Sequence, residues 1–176
     1  MKRKGLLLAL VLAVFSLTGC GIDQIYMGQN QEEEYEVNSA TALEDLIEID
    51  YFRDGALAHI LEGELNNKGQ AVGFHYANLP TRQGEIIEDT KSTKDKHGVY
   101  EAEVAVSEVE KTSNGGKSTF FPDNWDSQDV VDAINEAYDD RTFISGNTYE
   151  GLTAEGIVVR MYLDESEKII SAFPVY

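Results

Sequence analysis

Two histidines, His59 and His75, stand sixteen residues apart in LAHILEGELNNKGQAVGFHY, on either side of the turn-forming Asn66-Asn67-Lys68-Gly69. Imidazole has an unperturbed pKa of about 6.5, so it can be poised as base or acid near neutral pH. A pair of them with one lysine meets the needs of RNA scission without a metal. One imidazole takes the proton of a ribose 2′-OH, the other protonates the leaving 5′-oxygen, and the ammonium stabilises the pentacoordinate phosphate. Lys111 and Lys117 are the nearby candidates for that cation. Taken singly, each histidine reads more readily as a surface or hydrogen-bonded structural residue, because histidine burial is intermediate.

Other chemistries lack their spacing. There is no His-x-x-x-His, no HExxH and no calcium-loop pattern, so no metal ligand set is expected. No G-x-S-x-G elbow offers a serine nucleophile, and no G-x-x-x-x-G-K-[ST] loop awaits a nucleoside triphosphate. The single cysteine, Cys20, ends MKRKGLLLALVLAVFSLTGC, where three basic residues precede an apolar run. That run is shorter than the roughly 20 residues of a membrane-spanning helix and is read as an export signal over residues 1–19. Its Leu17-Thr18-Gly19-Cys20 close resembles a bacterial lipobox, which implies lipidation of Cys20 and attachment to the outer face of a cell membrane. With one cysteine there is no intrachain disulfide, and the exported domain must rely on its core.

Of 176 residues, 14 are Lys or Arg and 32 are Asp or Glu, a net charge of −18. Nine acids and no base lie between Gly21 and Asp50. Residues 20–40 are polar and without apolar periodicity, which suits an acidic, flexible tether. Such a balance argues against loose, charge-driven binding to nucleic acid, whose affinity comes from clustered Lys and Arg. Arg82, Lys91, Lys94 and Lys96 gather in one loop and read first as a solvated polar loop, with a local positive surface as the alternative; His97 beside them is read as solvated.

The elements that must position the histidines fall in residues 41–176. Leu43, Leu46, Ile47, Tyr51 and Phe52 recur at helical spacing, and a second short helix over Ala56–Leu61 carries His59. Ala71 to Tyr76 is expected as a strand bearing His75. Thr81 to Gly98 reads as a loop with a short strand at Ile86 and Ile87. Tyr100 to Val106 alternates as a half-wet strand, turning through Ser113–Gly116 into Lys117–Phe121. DSQDVVDAINEAYDD is an amphipathic helix capped by Asp126 or Ser127, after which Gly156–Leu163 and Lys168–Val175 form a hairpin around Asp164–Glu167. Trp125, Phe120 and Phe121 at the helix entry are expected in the core. The class is α+β.

The double-histidine run HILEGE…GFHY, then Lys111, STFFP with Trp125, DVVDAINEAY, GIVVRMYLD and IISAFPVY in that order, resemble EndoU-type endoribonucleases. The likeness covers Ala56 to Tyr176. It implies an RNase A-like superfamily fold of two small lobes, each of helices and antiparallel sheet, with the site in the groove between them. It further implies His75 as general base, His59 as general acid and Lys111 as the third member, with Lys117 as the alternate. Ser118 and Thr119 fall on the substrate-binding strand. Ser171 and Phe173 stand where relatives orient a uridine with threonine and tyrosine; Phe173 can stack on a base but has no hydroxyl.

The expected function is therefore metal-independent cleavage of single-stranded RNA near uridines, leaving a 2′,3′-cyclic phosphate and a 5′-OH. No cofactor is expected; Mn2+ stimulation is a family property, not a requirement. RNA, the membrane through the Cys20 lipid and an immunity protein are the partner classes raised, with the domain itself a monomer. The rival reading is a catalytically inactive EndoU-fold lipoprotein that binds without cutting; an acidic surface protein holding cell-wall cations through Glu32 to Glu36 is a third.

Overall fold

The computed structural model of the chain describes residues 40–176, so the signal over 1–19, Cys20 and the tether up to residue 39 lie outside the described residues. No helix among the described residues is long and apolar enough to cross a membrane. Gly55, at φ 82°, swings the chain into α1 (Ala56–Leu61), which carries His59 as expected. A hairpin follows, β1 (Glu64–Leu65) with β2 (Ala71–Val72), its turn held by Asn66 Oδ1 accepting from the N–H groups of Lys68 and Gln70. Next come β3 (Gly84–Ile86), β4 (Tyr100–Val106), β5 (Val109–Glu110), a 3-10 turn (Ser113–Gly116) and β6 (Lys117–Phe120). Helix α2 (Ser127–Asp139) leads to β7 (Thr142–Ser145), β8 (Thr148–Leu152), β9 (Val158–Leu163) and β10 (Ile169–Pro174).

Besides the β1-β2 hairpin, two larger antiparallel sheets result, which makes the class α+β as expected. One runs β10-β9-β8-β7; the other is built on β4, whose second half pairs with β3 and β5 and whose first half pairs with β6. Each sheet has its own apolar cluster. Val130, Val131, Ile134, Ile60, Leu61, Val159 and Met161 fill the first. Phe74, Tyr100, Ala102, Val104, Val106 and Phe120 fill the second. Both helices pack against the first sheet, so the helices are not shared between two similar lobes as the resemblance implies. The β4 alternation buries Tyr100, Ala102, Val104 and Val106, and Trp125 packs on the first cluster beside Phe121.

Several sequence expectations are corrected. Residues 41–52 form no helix beyond a 3-10 turn at Leu43–Asp45; Glu48 adopts φ 54°, and side chains of α2 take over the backbone groups a helix would have paired. Asp126 accepts from the Thr41 N–H, Gln128 bonds both the N–H and the carbonyl of Ile47, and Asn135 donates to the Glu48 carbonyl. Asp126 thus serves two masters, since it also caps α2 in a reciprocal capping box with Asp129. The strand expected over Ala71–Tyr76 stops at Val72, because Gly73 and Phe74 both have positive φ, 73° and 63°. The β5 strand interposes before the Ser113 turn, and RTFISGNTYEGL, where no strand was expected, forms the β7-β8 hairpin. Finally, Lys91 and Lys94 share the single carboxylate of Asp123, so two of the loop's four cations are already engaged and one of their charges is offset.

Gly73 admits no side chain. A Cβ there would stand 1.9 Å from the His59 carbonyl oxygen, and its φ is strained for any other residue. Gly73→Ala is expected to cost more than about 4 kcal/mol in urea unfolding, whereas Gly69→Ala, with φ 71° but open space, should cost only about 1 to 2 kcal/mol. Equal losses would show that the crossing at Gly73 is not tight.

Candidate active site

The strained pair Gly73-Phe74 turns the chain back along α1. The Phe74 N–H donates to the His59 carbonyl at 3.1 Å and the His75 N–H to that of Ile60 at 2.7 Å, so the two histidine backbones are laced together. Phe74 goes into the second cluster against Phe120, and His75 falls on the opposite side at 6% exposure.

Each imidazole has its Nδ1 assigned by its partner. His75 Nδ1 lies 2.7 Å from the Thr119 carbonyl, which can only accept, so Nδ1 carries the hydrogen and Nε2 keeps its lone pair. His59 Nδ1 lies 3.0 Å from the Glu64 carboxylate, and its Nε2 is 3.1 Å from the Ser171 hydroxyl. Burial, with Lys111 as a second cause, pulls the His75 pKa down to about 3; burial also lowers that of His59, against the opposing pull of Glu64. His75 is therefore neutral across the physiological range.

The last strand supplies the second side of the site. A bulge between Ile169 and Ser171 breaks the alternation of β10, so that Ser171 and Ala172 are both buried. Ala172 joins the core, while Ser171 and Phe173, two apart on one face, meet His59 and His75 respectively. The Phe173 ring stacks on His75 with centroids 5.0 Å apart and planes at 20°.

The two lysines are placed differently. Lys111, 7% exposed, donates to the Ser118 hydroxyl at 2.7 Å and approaches the Gly73 carbonyl at 3.5 Å; Ser118 also donates to that carbonyl, at 3.0 Å. Among the described residues it makes no ion pair, and burial lowers its pKa to about 8. Lys117 pairs with Glu101, one of its neighbours across the β4-β6 ladder, and this contact holds its pKa above the ordinary lysine value. A cavity of about 250 Å³ is lined by His75, Lys117, Ser118, Thr119 and Phe173, together with Arg160 and Tyr162. His59, Lys111 and Ser171 do not line it. The Thr119 hydroxyl is buried without a hydrogen-bond partner among the described residues.

The structure thus brings His75, Lys117, Ser118, Thr119 and Phe173 around one cavity and leaves His59, Ser171 and Lys111 outside it, His59 on Ser171 and Lys111 on Ser118. Sequence reasoning missed Gly73, Glu64, Glu101 and Arg160; Glu64, Gly73 and Arg160 lie within the HILEGE, GFHY and GIVVRMYLD runs, whereas Glu101 left no such signal. Because an unfolded imidazole takes up a proton near pH 6.5 while folded His75 resists to about 3, the unfolded state binds more protons between those values. Folding is therefore expected to weaken as the pH falls through that window, with the His75 ring, followed by NMR, still neutral at pH 5. A His75 titration midpoint near 6.5 would contradict the burial.

A family profile described as Bacterial EndoU nuclease matches residues 53–176. A protein of Bacillus cereus named "Toxin" is 44% identical over 145 residues, 82% of this chain and 27% of that protein, so the chain spans about a quarter of the relative it matches. No solved structure matches. The profile match takes in both histidines, both lysines and the terminal strand, and the chain belongs to the bacterial EndoU nuclease family.

Proposed function

We propose that the chain is a metal-independent endoribonuclease that cuts single-stranded RNA near uridines, by attack of a ribose 2′-OH on the adjacent phosphate. The observation that carries this reading is the matched assignment of the imidazoles: Thr119 and Glu64 hold the two Nδ1 atoms as N–H, which leaves the Nε2 atoms for proton transfer, that of His59 beside the Ser171 hydroxyl. Neutral His75 takes the 2′-OH proton. His59 delivers one to the leaving 5′-oxygen; the phosphate of bound RNA adds negative charge beside it, which favours its imidazolium. The attacking and leaving oxygens both belong to the RNA, so neither water nor a metal need enter, and Mn2+ is dispensable in this scheme.

The cation has two candidates. Lys111 puts positive charge beneath both histidines, but its amine is occupied by Ser118 and Gly73. Lys117 lines the cavity beside His75 and gives up only a surface contact with Glu101 when it turns to a phosphate. The geometry therefore favours Lys117 as the residue that touches the phosphate, with Lys111 acting from below. Phe173 stacks on His75 and steadies the base in this scheme, while the cavity walls at Thr119 and Tyr162 receive the nucleobase.

The toxin name of the relative and the leader ending in Cys20 support an exported, lipid-anchored effector on the outer face of a bacterial membrane, monomeric and matched by an immunity protein. The inactive-lipoprotein reading draws on the acidic balance and on Phe173, and it predicts no turnover at all.

Labelled RNA incubated with the purified protein in chelator should be cut, and His75→Ala should leave it intact. Uncut RNA with both proteins would end the nuclease reading. Lys117→Ala should lower kcat by about a hundredfold or more, the usual loss for one transition-state donor. Full activity in Lys117→Ala beside a dead Lys111→Ala would return the role to Lys111.

A further inference from the structure

Among the described residues, two surface cavities hold acids and no base: one bounded by Glu48, Asp132 and Asp139, the other by Asp164, Glu165 and Glu167. Cations line two others. In the cavity beside His75 both are already held, Lys117 by Glu101 and Arg160 by Glu150. The remaining cavity, about 530 Å³, has Arg53 and Lys168 on its wall with Leu57 and Ala58 of α1. Among the described residues neither cation has a carboxylate within ion-pair distance; Lys168 reaches only the Asp50 backbone carbonyl, and the Arg53 side chain makes no hydrogen bond.

The two cations are set side by side by the backbone. Phe52 bridges Ile169, and the Arg53 N–H donates to the Ile169 carbonyl at 3.0 Å, so Arg53 and Lys168 flank one crossing. The carboxylates of Asp50 and Asp54 also line the groove. They repel phosphate from the rest of the wall and leave the two cations as its landing points. Helix α1 joins this groove to the site, with Ala58 in its wall and His59 the next residue, and Arg53 is near enough to His59 to bias its proton.

We propose that this groove is a second phosphate-binding subsite, in which Arg53 and Lys168 hold phosphodiesters of the RNA strand downstream of the cleaved bond. The inference rests on the nuclease reading, in which His59 protonates the 5′-oxygen of the departing strand. That strand therefore lies on the His59 side and continues over α1. It also bears on the objection raised by the acidic chain, because two cations without an ion-pair partner among the described residues stand where the substrate runs, although Asp50 and Asp54 balance them in formal charge.

The test compares kcat/KM for a dinucleotide and for an RNA extended by several nucleotides on the 3′ side, using the full chain and Arg53→Gln/Lys168→Gln. The wild-type preference for the extended substrate should fall about tenfold or more in the variant. Binding of an uncleavable 2′-O-methyl RNA gives a readout independent of turnover. The slope of log K against log salt should lose about 1.4 for two phosphate contacts on a single strand. An unchanged preference with an unchanged slope overturns the subsite while leaving the nuclease intact; a wild type that cuts neither substrate overturns the nuclease reading instead.

Discussion

The site depends on the contact between Gly73 and the carbonyl of His59. Only a residue without a side chain can lie against α1 at that distance, and only one tolerant of positive φ can turn the chain there. The crossing places the His75 backbone on the end of α1 and points the Gly73 carbonyl at Lys111 and Ser118. Helix, hairpin and β6 are thereby joined at one peptide. Gly84 completes the arrangement from below, where a Cβ would enter the Phe74 ring at 2.2 Å, so the residue before His75 is wedged in place.

From that joint the electrostatics follow. A chain this acidic keeps carboxylates away from its buried lysine: Lys111 has none in ion-pair reach among the described residues, and its charge falls on both histidines. Burial costs an ionised imidazole its hydration, and a neighbouring ammonium adds repulsion, so both effects keep His75 neutral. The terminal strand closes the other side through one bulge, which puts Ser171 and Phe173 on the face of the histidines rather than in the core. The two imidazoles thus differ in burial and in company: His75 is buried against the Thr119 carbonyl, and His59 is partly exposed beside the Glu64 carboxylate.

The sequence was most legible where periodicity and burial agree. The α2 helix with its Asp126 cap, the β4 alternation and α1 all form where the pattern places them. The helix expected over residues 41–52 failed because apolar spacing cannot reveal that Gln128 and Asn135 satisfy its backbone from another element. The β7-β8 hairpin was missed for a related reason: β7 is exposed along its whole length and carries no buried face to read. Within the site, residue types with rare chemistry were found, His59, His75 and the lysines among them. Their positioners were not, since Gly73, Glu101 and Arg160 act through distances that depend on tertiary structure.

The central claim is that the histidine pair drives internal attack by the ribose, and the chemistry of the fragment ends tests it most directly. Mass spectrometry of the RNA fragments is predicted to find 2′,3′-cyclic phosphate on the upstream piece and 5′-OH on the downstream one. Fragments bearing 5′-phosphate and 3′-OH ends would mean that water had attacked, and would contradict the account.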